Sequence, residues 1–93
     1  MISLQQKVKI SSEVLVQEVD EETVLLDMKS ESYFGLDEVG TRIWQLLQET
    51  GDLQTIFNTM LEEYDVDEKQ LKNDLLDHVA QLGEAGLISL APV

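Results

Sequence analysis

The stretch YFGLDEVGTRIWQLL, from Tyr33 to Leu47, decides the fold because the spacing of its apolar residues changes halfway along it. Phe34 and Leu36 lie two positions apart, which puts them on one face of an extended strand. After Asp37 the apolar residues recur at three and four positions, the spacing of an amphipathic helix. The Asp37 side chain can accept a hydrogen bond from a free amide of the first helical turn. The sequence therefore predicts that a strand passes into a helix at Asp37.

Three short β-rich segments are predicted in the first part of the chain. They cover residues 14–19 (VLVQEV), 23–28 (TVLLDM) and 32–36 (SYFGL), with turns at the acidic cluster 20–22 and at 29–31. Connections this short favour an antiparallel meander, because parallel strands need a long crossover. The first and third strands of a meander are both edges of the sheet, with unpaired backbone groups.

Two finer expectations concern the same region. Within the second strand, Val24, Leu26 and Met28 fall on one face of the sheet. Residues 1–12 contain Lys7 and Lys9 and no acidic residue. We expect this N-terminal segment to be a loosely ordered arm or an irregular first strand.

The remainder of the chain predicts three helices. The first begins at Asp37 and stops at Gly51, the second carries the clearest apolar stripe, and the third runs from Asp67 to Gly86. Trp44 is the largest apolar group and is expected in the core. The apolar positions of the three helices are Val39, Ile43, Leu46 and Leu47; Leu53, Ile56, Phe57, Met60, Leu61 and Tyr64; and Leu71, Leu75, Val79 and Leu82.

The predicted order is three antiparallel strands followed by three helices, an α+β fold with helices on one side of a small sheet. With 93 residues the chain has room for a single domain, residues 1–93. Its composition is globular, with 43% hydrophobic and 27% charged residues. The order of the elements is winged-helix-like.

The charge of the chain restricts its partners. Six basic residues against nineteen acidic ones give a net charge of -13. Nucleic-acid binding depends on Lys and Arg, and anionic membranes attract basic segments, so neither partner is expected. No stretch has the pattern of a signal peptide or a membrane span. The lack of cysteine agrees with a cytoplasmic protein.

Catalytic and metal-binding signals are absent from the sequence. His78 is the only histidine and is interpreted as a boundary residue of the third helix. The carboxylates are scattered over turns and helix starts, where solvation and the helix dipole account for them. No P-loop, HExxH, EF-hand or dinucleotide-binding motif is present. We therefore expect no enzyme activity, no metal site and no cofactor.

The third strand is the better candidate for a binding surface. It is aromatic and uncharged from residue 32 to residue 36, and an exposed strand edge can accept a peptide as an added strand. Leu76 and Ala80 lie off the main stripe of the third helix and are expected to line an adjacent groove, although an ordinary core or boundary role is at least as well supported. Asp74 and Asp77 are expected at its rim. A winged-helix DNA-binding protein stays open as an alternative, which the acidic third helix opposes.

The residues from Tyr33 to Leu47, with the preceding VLLDMKSESY and the closing HVAQLGEAGLI, resemble the PqqD-like family over about residues 13 to 90. This resemblance implies a recognition element for ribosomally synthesised and post-translationally modified peptides (RiPPs). Such an element binds the leader of a precursor peptide on its third strand, against its third helix. The implied peptide-binding residues are Ser32, Tyr33, Phe34, Gly35, Leu36, Lys72, Asp74, Leu75, Leu76, Asp77, Val79 and Ala80.

The resemblance also implies partners. A stand-alone domain of this length is most similar to the leader-binding B protein of lasso peptide biosynthesis, which serves a leader peptidase and an ATP-dependent cyclase. The alternative within the family is a PqqD-type peptide chaperone that works with a radical-SAM enzyme.

Overall fold

The computed structural model describes residues 2–20 and 22–91. Three helices and five strands are present in these ranges. In chain order they are β1 (Lys7–Ile10), β2 (Val14–Val19), β3 (Glu22–Asp27), β4 (Ser32–Leu36), α1 (Glu38–Glu49), α2 (Leu53–Glu63), α3 (Glu68–Glu84) and β5 (Ile88–Ala91).

Strands β2, β3 and β4 form an antiparallel sheet in that order. The predicted α+β architecture, with a three-stranded meander followed by three helices, is confirmed. Of the predicted turn at residues 20–22, Glu21 lies outside the described residues. Asp20 has a positive φ of 57°, a backbone conformation that Asp tolerates better than most residues.

Of the two alternatives expected for the N-terminal segment, the first strand is nearer to the structure than the loosely ordered arm. Residues 7–10 form the regular strand β1, which pairs antiparallel with β5 in a second, two-stranded sheet. Leu4 and Val8 are buried. The backbone oxygen of Val8 lies so close to Gly51 that a Cβ there would be 2.5 Å from it. This segment is ordered because its apolar side chains cover the core at the end of α1. Its pairing with β5 is long-range, so the local composition does not reveal it.

The two faces of strand β3 have different environments. Val24, Leu26 and Met28 do share a face, but it is the outward one, and Met28 is 56% exposed. The inward face carries the buried Leu25 and the carboxylate of Asp27. Asp27 tolerates this position because its side chain accepts hydrogen bonds from the Lys29 amide and the Ser30 hydroxyl, closing the turn to β4.

An aspartate caps each helix, as the sequence predicts for α1 and α3. The side chain of Asp37 accepts a hydrogen bond of 2.8 Å from the Gly40 amide, and Asp67 accepts one from the Gln70 amide. Each cap satisfies a backbone donor that the helix itself leaves free. Asp37 directly follows β4, so the strand and helix α1 are joined without a loop.

The core lies between the helices and the inward face of the sheet. Trp44 on α1 is its largest fully buried side chain, and Leu25 of β3, Met60 of α2 and Leu75 of α3 are also fully buried. The two terminal strands close it with Val8 and Ile88. Within the described ranges, no helix is both long and apolar enough to cross a membrane.

We predict that Trp44→Ala destabilises the protein by about 3–5 kcal/mol, because it leaves a large cavity in a small core. The indole N–H of Trp44 is buried and has no hydrogen-bond partner within residues 2–20 and 22–91. Trp44→Phe therefore removes no hydrogen bond and should cost much less. Urea unfolding of both variants tests this. Equal stability of Trp44→Ala and the wild type would show that Trp44 does not support the core.

Candidate functional site

Strand β4 offers an unpaired backbone edge. Among the described residues it pairs only with β3, so one side of its backbone faces away from the sheet. Ser32, Tyr33 and Gly35 are exposed, Phe34 is half-buried and Leu36 is buried. Strand β2 has the other free edge, but all of its residues except the half-buried Val14 are exposed. Strand β4, in contrast, contacts helix α1.

Helix α3 approaches β4 through an aromatic contact. The Phe34 ring on the inward face of β4 and the imidazole of His78 on α3 are 6.4 Å apart between centroids, with an interplanar angle of 75°. This edge-to-face arrangement is favourable for aromatic rings. The contact defines which side of α3 faces the strand.

A cavity of about 370 Å³ opens where β4 passes into α1. Its walls are apolar side chains of α1, α2 and α3, and two carboxylates stand among its lining residues. A concave apolar site with a few polar groups is the usual form of a binding pocket. The lining residues are Asp37, Val39, Gly40, Ile43, Met60, Tyr64, Val66, Gln70, Leu71, Asp74, Leu75 and His78.

Gly40 allows α1 to lie close to both β4 and α3. A Cβ at this position would be 3.2 Å from the Cε1 atom of His78 and 3.4 Å from a methyl carbon of Leu36. Both distances are at or below ordinary van der Waals contact. At Gly40, helix α1 therefore lies close to both strand β4 and helix α3.

The electrostatics of the site centre on His78. Its Nε2 atom is buried and has no hydrogen-bond partner among the described residues. Burial lowers the pKa of His78, and the nearby Asp37 carboxylate opposes this shift only in part. The imidazole is therefore held neutral over a wider pH range than a free histidine. Within the described part of the chain, no cluster of three or more His, Asp or Glu side chains is placed to hold a metal ion.

The predicted residues of α3 fall on different sides of the helix. Asp74 and Leu75 line the cavity beside His78. Val79 is fully buried in the core, and Asp77 is exposed. Leu76 and Ala80 are each two positions from His78, which places them about 160° from it around the helix axis. Both are half-buried, and Leu76 packs against the core.

Lys72 lies in a separate depression with Leu4 and Phe57, on the side of α3 that faces the N-terminal segment. Phe34 contacts His78, and Leu36 lies against Gly40. His78 and Gly40 line the cavity together with Asp74 and Leu75, whereas Lys72, Leu76 and Ala80 are not among its lining residues. Leu76 and Ala80 were chosen because they lie off the core stripe, but a helix has two such flanks and the sequence does not say which one meets β4.

Sequence reasoning missed His78, Gly40 and Gln70 as site residues. One signal was available: His78 follows Leu71 and Asp74 at helical spacing, on the flank opposite Leu76. The contributions of Tyr64 and Val66, from the connection between α2 and α3, depend on tertiary packing alone.

Comparisons with known proteins concern the family and the overall fold of the chain. A family model described as coenzyme PQQ synthesis protein D (PqqD) matches residues 22–88. The solved structure of TbiB1 in complex with the TbiA(beta) leader peptide has a TM-score of 0.82 and 40% identity, covering 87% of this chain and 94% of that chain. A lasso peptide synthetase B1 complexed with the leader peptide has a TM-score of 0.80 and 26% identity, covering 92% and 99%. No curated protein matches this chain.

We predict a proton-linked loss of stability that depends on His78. Because its pKa in the folded protein lies below the 6.5 of a free histidine, the unfolded chain takes up the proton first. The contribution of His78 to stability is therefore complete above pH 6.5 and decreases as the pH falls toward the folded pKa. The test compares urea unfolding of the wild type and His78→Gln from pH 7.5 to pH 5. The carboxylates titrate in both proteins, so the difference between the two curves isolates His78. A constant difference would contradict the prediction.

Proposed function

Because this chain belongs to the PqqD family, we propose that it is a RiPP recognition element that binds the leader of a precursor peptide as an added strand on β4. The observation that carries the proposal is the unpaired edge of β4, which lies beside α3 and leads to an apolar cavity. Both solved relatives named above are complexes with a leader peptide. Strand addition requires an open edge and a neighbouring groove, and this edge has both.

The affinity for the leader and the selectivity among leaders come from different parts of the site. The backbone of β4 supplies hydrogen bonds that depend little on the leader sequence. Side chains of the added strand alternate between its two faces, so every second one points toward the contact between Phe34 and His78. A leader that continues past Leu36 reaches the cavity, where an apolar side chain is removed from water. Selectivity therefore resides in the α3 side of the groove.

The charge of the site favours a leader with basic residues. Asp37 and Asp74 both line the cavity, and the whole chain has a net charge of -13. Exposed carboxylates of this kind act mainly on the rate of association and on selectivity. The long-range attraction is screened at high salt.

In the proposed pathway the domain presents the leader to a separate leader peptidase and an ATP-dependent cyclase of lasso peptide biosynthesis. Support comes from the similarity to TbiB1 and to the lasso peptide synthetase B1 over most of the chain. The description of the family model favours a second candidate, a PqqD-type chaperone of quinone cofactor synthesis that serves a radical-SAM enzyme. Binding titrations with a lasso precursor leader and with a PQQ precursor peptide distinguish the two.

We predict that the protein alone has no catalytic activity toward its precursor. The site offers one half-buried imidazole with a lowered pKa, one phenol and two carboxylates, without a nucleophile positioned beside a base among the described residues. Incubation of the purified protein with the precursor, ATP and magnesium should leave the mass of the peptide unchanged by mass spectrometry. Cleavage or dehydration by this chain alone, with contaminating enzymes excluded, would contradict the prediction.

We predict that Asp74→Lys weakens binding of a basic leader by about three- to tenfold, as expected when an attractive surface charge becomes repulsive. The effect should be larger at low ionic strength than at high ionic strength. Glu84→Lys is the matched control, because it makes the same change of charge at an exposed position of α3 outside the cavity. Isothermal titration calorimetry measures both. Equal effects of the two variants would place the leader away from the Asp74 side of α3.

A further inference from the structure

Two hydrogen bonds at the end of β3 show which way its backbone groups point. The Met28 amide donates a bond of 2.9 Å to the oxygen of Glu13, the residue before β2. The Asp27 oxygen accepts one of 2.7 Å from the amide of Glu31, the residue before β4. The N–H and C=O groups of successive strand residues point alternately to the two sides. Asp27 and every second residue before it therefore face β4, and the residues between them face β2.

The hydrogen-bonding groups at the free edge of β4 belong to Tyr33 and Gly35. The register pairs the β4-facing residues of β3 with Ser32, Phe34 and Leu36, whose backbone groups are thereby used within the sheet. Tyr33 and Gly35 lie between these positions, so their N–H and C=O groups point away from β3. A leader strand on this edge is therefore hydrogen-bonded through Tyr33 and Gly35.

Gly35 is a strand residue at which the fold itself favours a larger side chain. Its φ lies outside the left-handed region, unlike that of Gly51 or Gly86. A Cβ placed on Gly35 would have no atom of the described residues within 4 Å, apart from its chain neighbours. Glycine inside a strand is destabilising, because it orders a flexible backbone and adds no packing. A glycine in such a position is typical of a site that a ligand or another backbone approaches closely.

The missing side chain leaves a gap on the outward face of the sheet. Gly35 lies opposite Val24 of β3, and Tyr33 precedes it by two positions on the same face. Val24 is half-buried, and Tyr33 is 73% exposed. We refer to the space over Gly35, between Val24 and Tyr33, as the Gly35 gap. It is open toward the free edge of β4, so a side chain of an added strand can enter it from there.

We propose that Gly35 is a specificity-determining residue that selects leaders with an aromatic side chain at the position paired with it. This inference rests on the proposed function, because it names the leader feature that the β4 edge recognises. The leader residue opposite Gly35 projects to the outward face of the sheet. Since Gly35 has no Cβ, an aromatic side chain at that leader position can lie across β4 and contact Val24. Aromatic side chains cover edge glycines of β-sheets from a neighbouring strand in the same manner.

The contact over Gly35 provides a free-energy difference between leaders. An aromatic ring in the Gly35 gap removes its own apolar surface and that of Val24 from water, and it lies beside the ring of Tyr33. A small side chain at the same leader position keeps the backbone hydrogen bonds but leaves the gap open. The gap therefore adds selectivity on the outward face to that of the α3 side.

The test uses Gly35→Thr, which fills the gap with a β-branched residue and changes no charge. The matched control is Gly83→Ala on α3, because Gly83 is also exposed and a Cβ there would likewise have no described neighbour within 4 Å. The probe is the synthetic leader of the precursor encoded with this chain. Intermolecular nuclear Overhauser effects identify the leader residue paired with Gly35, and a second leader carries Ala at that position. Thermal melting measures stability, and isothermal titration calorimetry measures the affinity for both leaders.

We expect both variants to melt at a higher temperature than the wild type, because each replaces a glycine within regular structure. Gly35→Thr should bind the unmodified leader about tenfold more weakly, as for loss of a buried aromatic contact. Gly83→Ala should stay within about twofold of the wild type. The Ala leader should lose a similar factor with the wild type but at most about twofold with Gly35→Thr, because both changes remove the same contact.

A lower melting temperature of Gly35→Thr would show that the fold requires the glycine, and this would overturn the inference. Wild-type leader affinity of Gly35→Thr, an equal loss from the Ala leader with both proteins, or a paired leader residue that is not aromatic would overturn it as well. Absence of leader binding by the wild type, or binding that leaves the Tyr33 and Gly35 amides unprotected, would instead refute the proposed function.

Discussion

Strand β4 has a neighbouring strand on one side only, and it continues without a loop into helix α1. Asp37 enforces this junction, because its side chain holds the Gly40 amide and thereby fixes the direction of the helix relative to the strand. Gly40 then lets α1 lie against Leu36 and His78 at distances that would be tight for a Cβ atom. The open edge, the contact with α3 and the cavity all follow from this one connection.

The rest of the chain holds the β4 edge in place against the helices. A domain of 93 residues has a small hydrophobic core. The terminal strands β1 and β5 pair with each other and cover the ends of the helices. Arg42 on α1 also forms a two-pronged ion pair with Glu63 on α2 at the surface. The sheet can therefore leave an edge and an outer face without intramolecular partners while the helices retain a complete core.

Local periodicity was enough to predict the three strands, the three helices and the cap at Asp37, since these depend on neighbours in sequence. The pairing of β1 with β5 was not predictable, because it joins residues about eighty positions apart. Prediction of the site residues from the sequence is limited in the same way. Phe34 and Leu36 were identified from the edge strand, whereas Leu76 was preferred to His78 because spacing alone does not tell which flank of α3 turns toward β4. The sequence shows that Val24, Leu26 and Met28 share one face of the strand. It does not show that this face points away from the helices.

The central claim is that the leader occupies the free edge of β4. Hydrogen exchange followed by NMR, with and without the precursor leader, tests it most directly, because an added strand gives hydrogen-bond partners to backbone amides that previously faced solvent. The account predicts that alternate amides of residues 32–36 gain protection on addition of the leader and that those of residues 14–19 do not. Protection of the β2 amides with no change in β4 would contradict it.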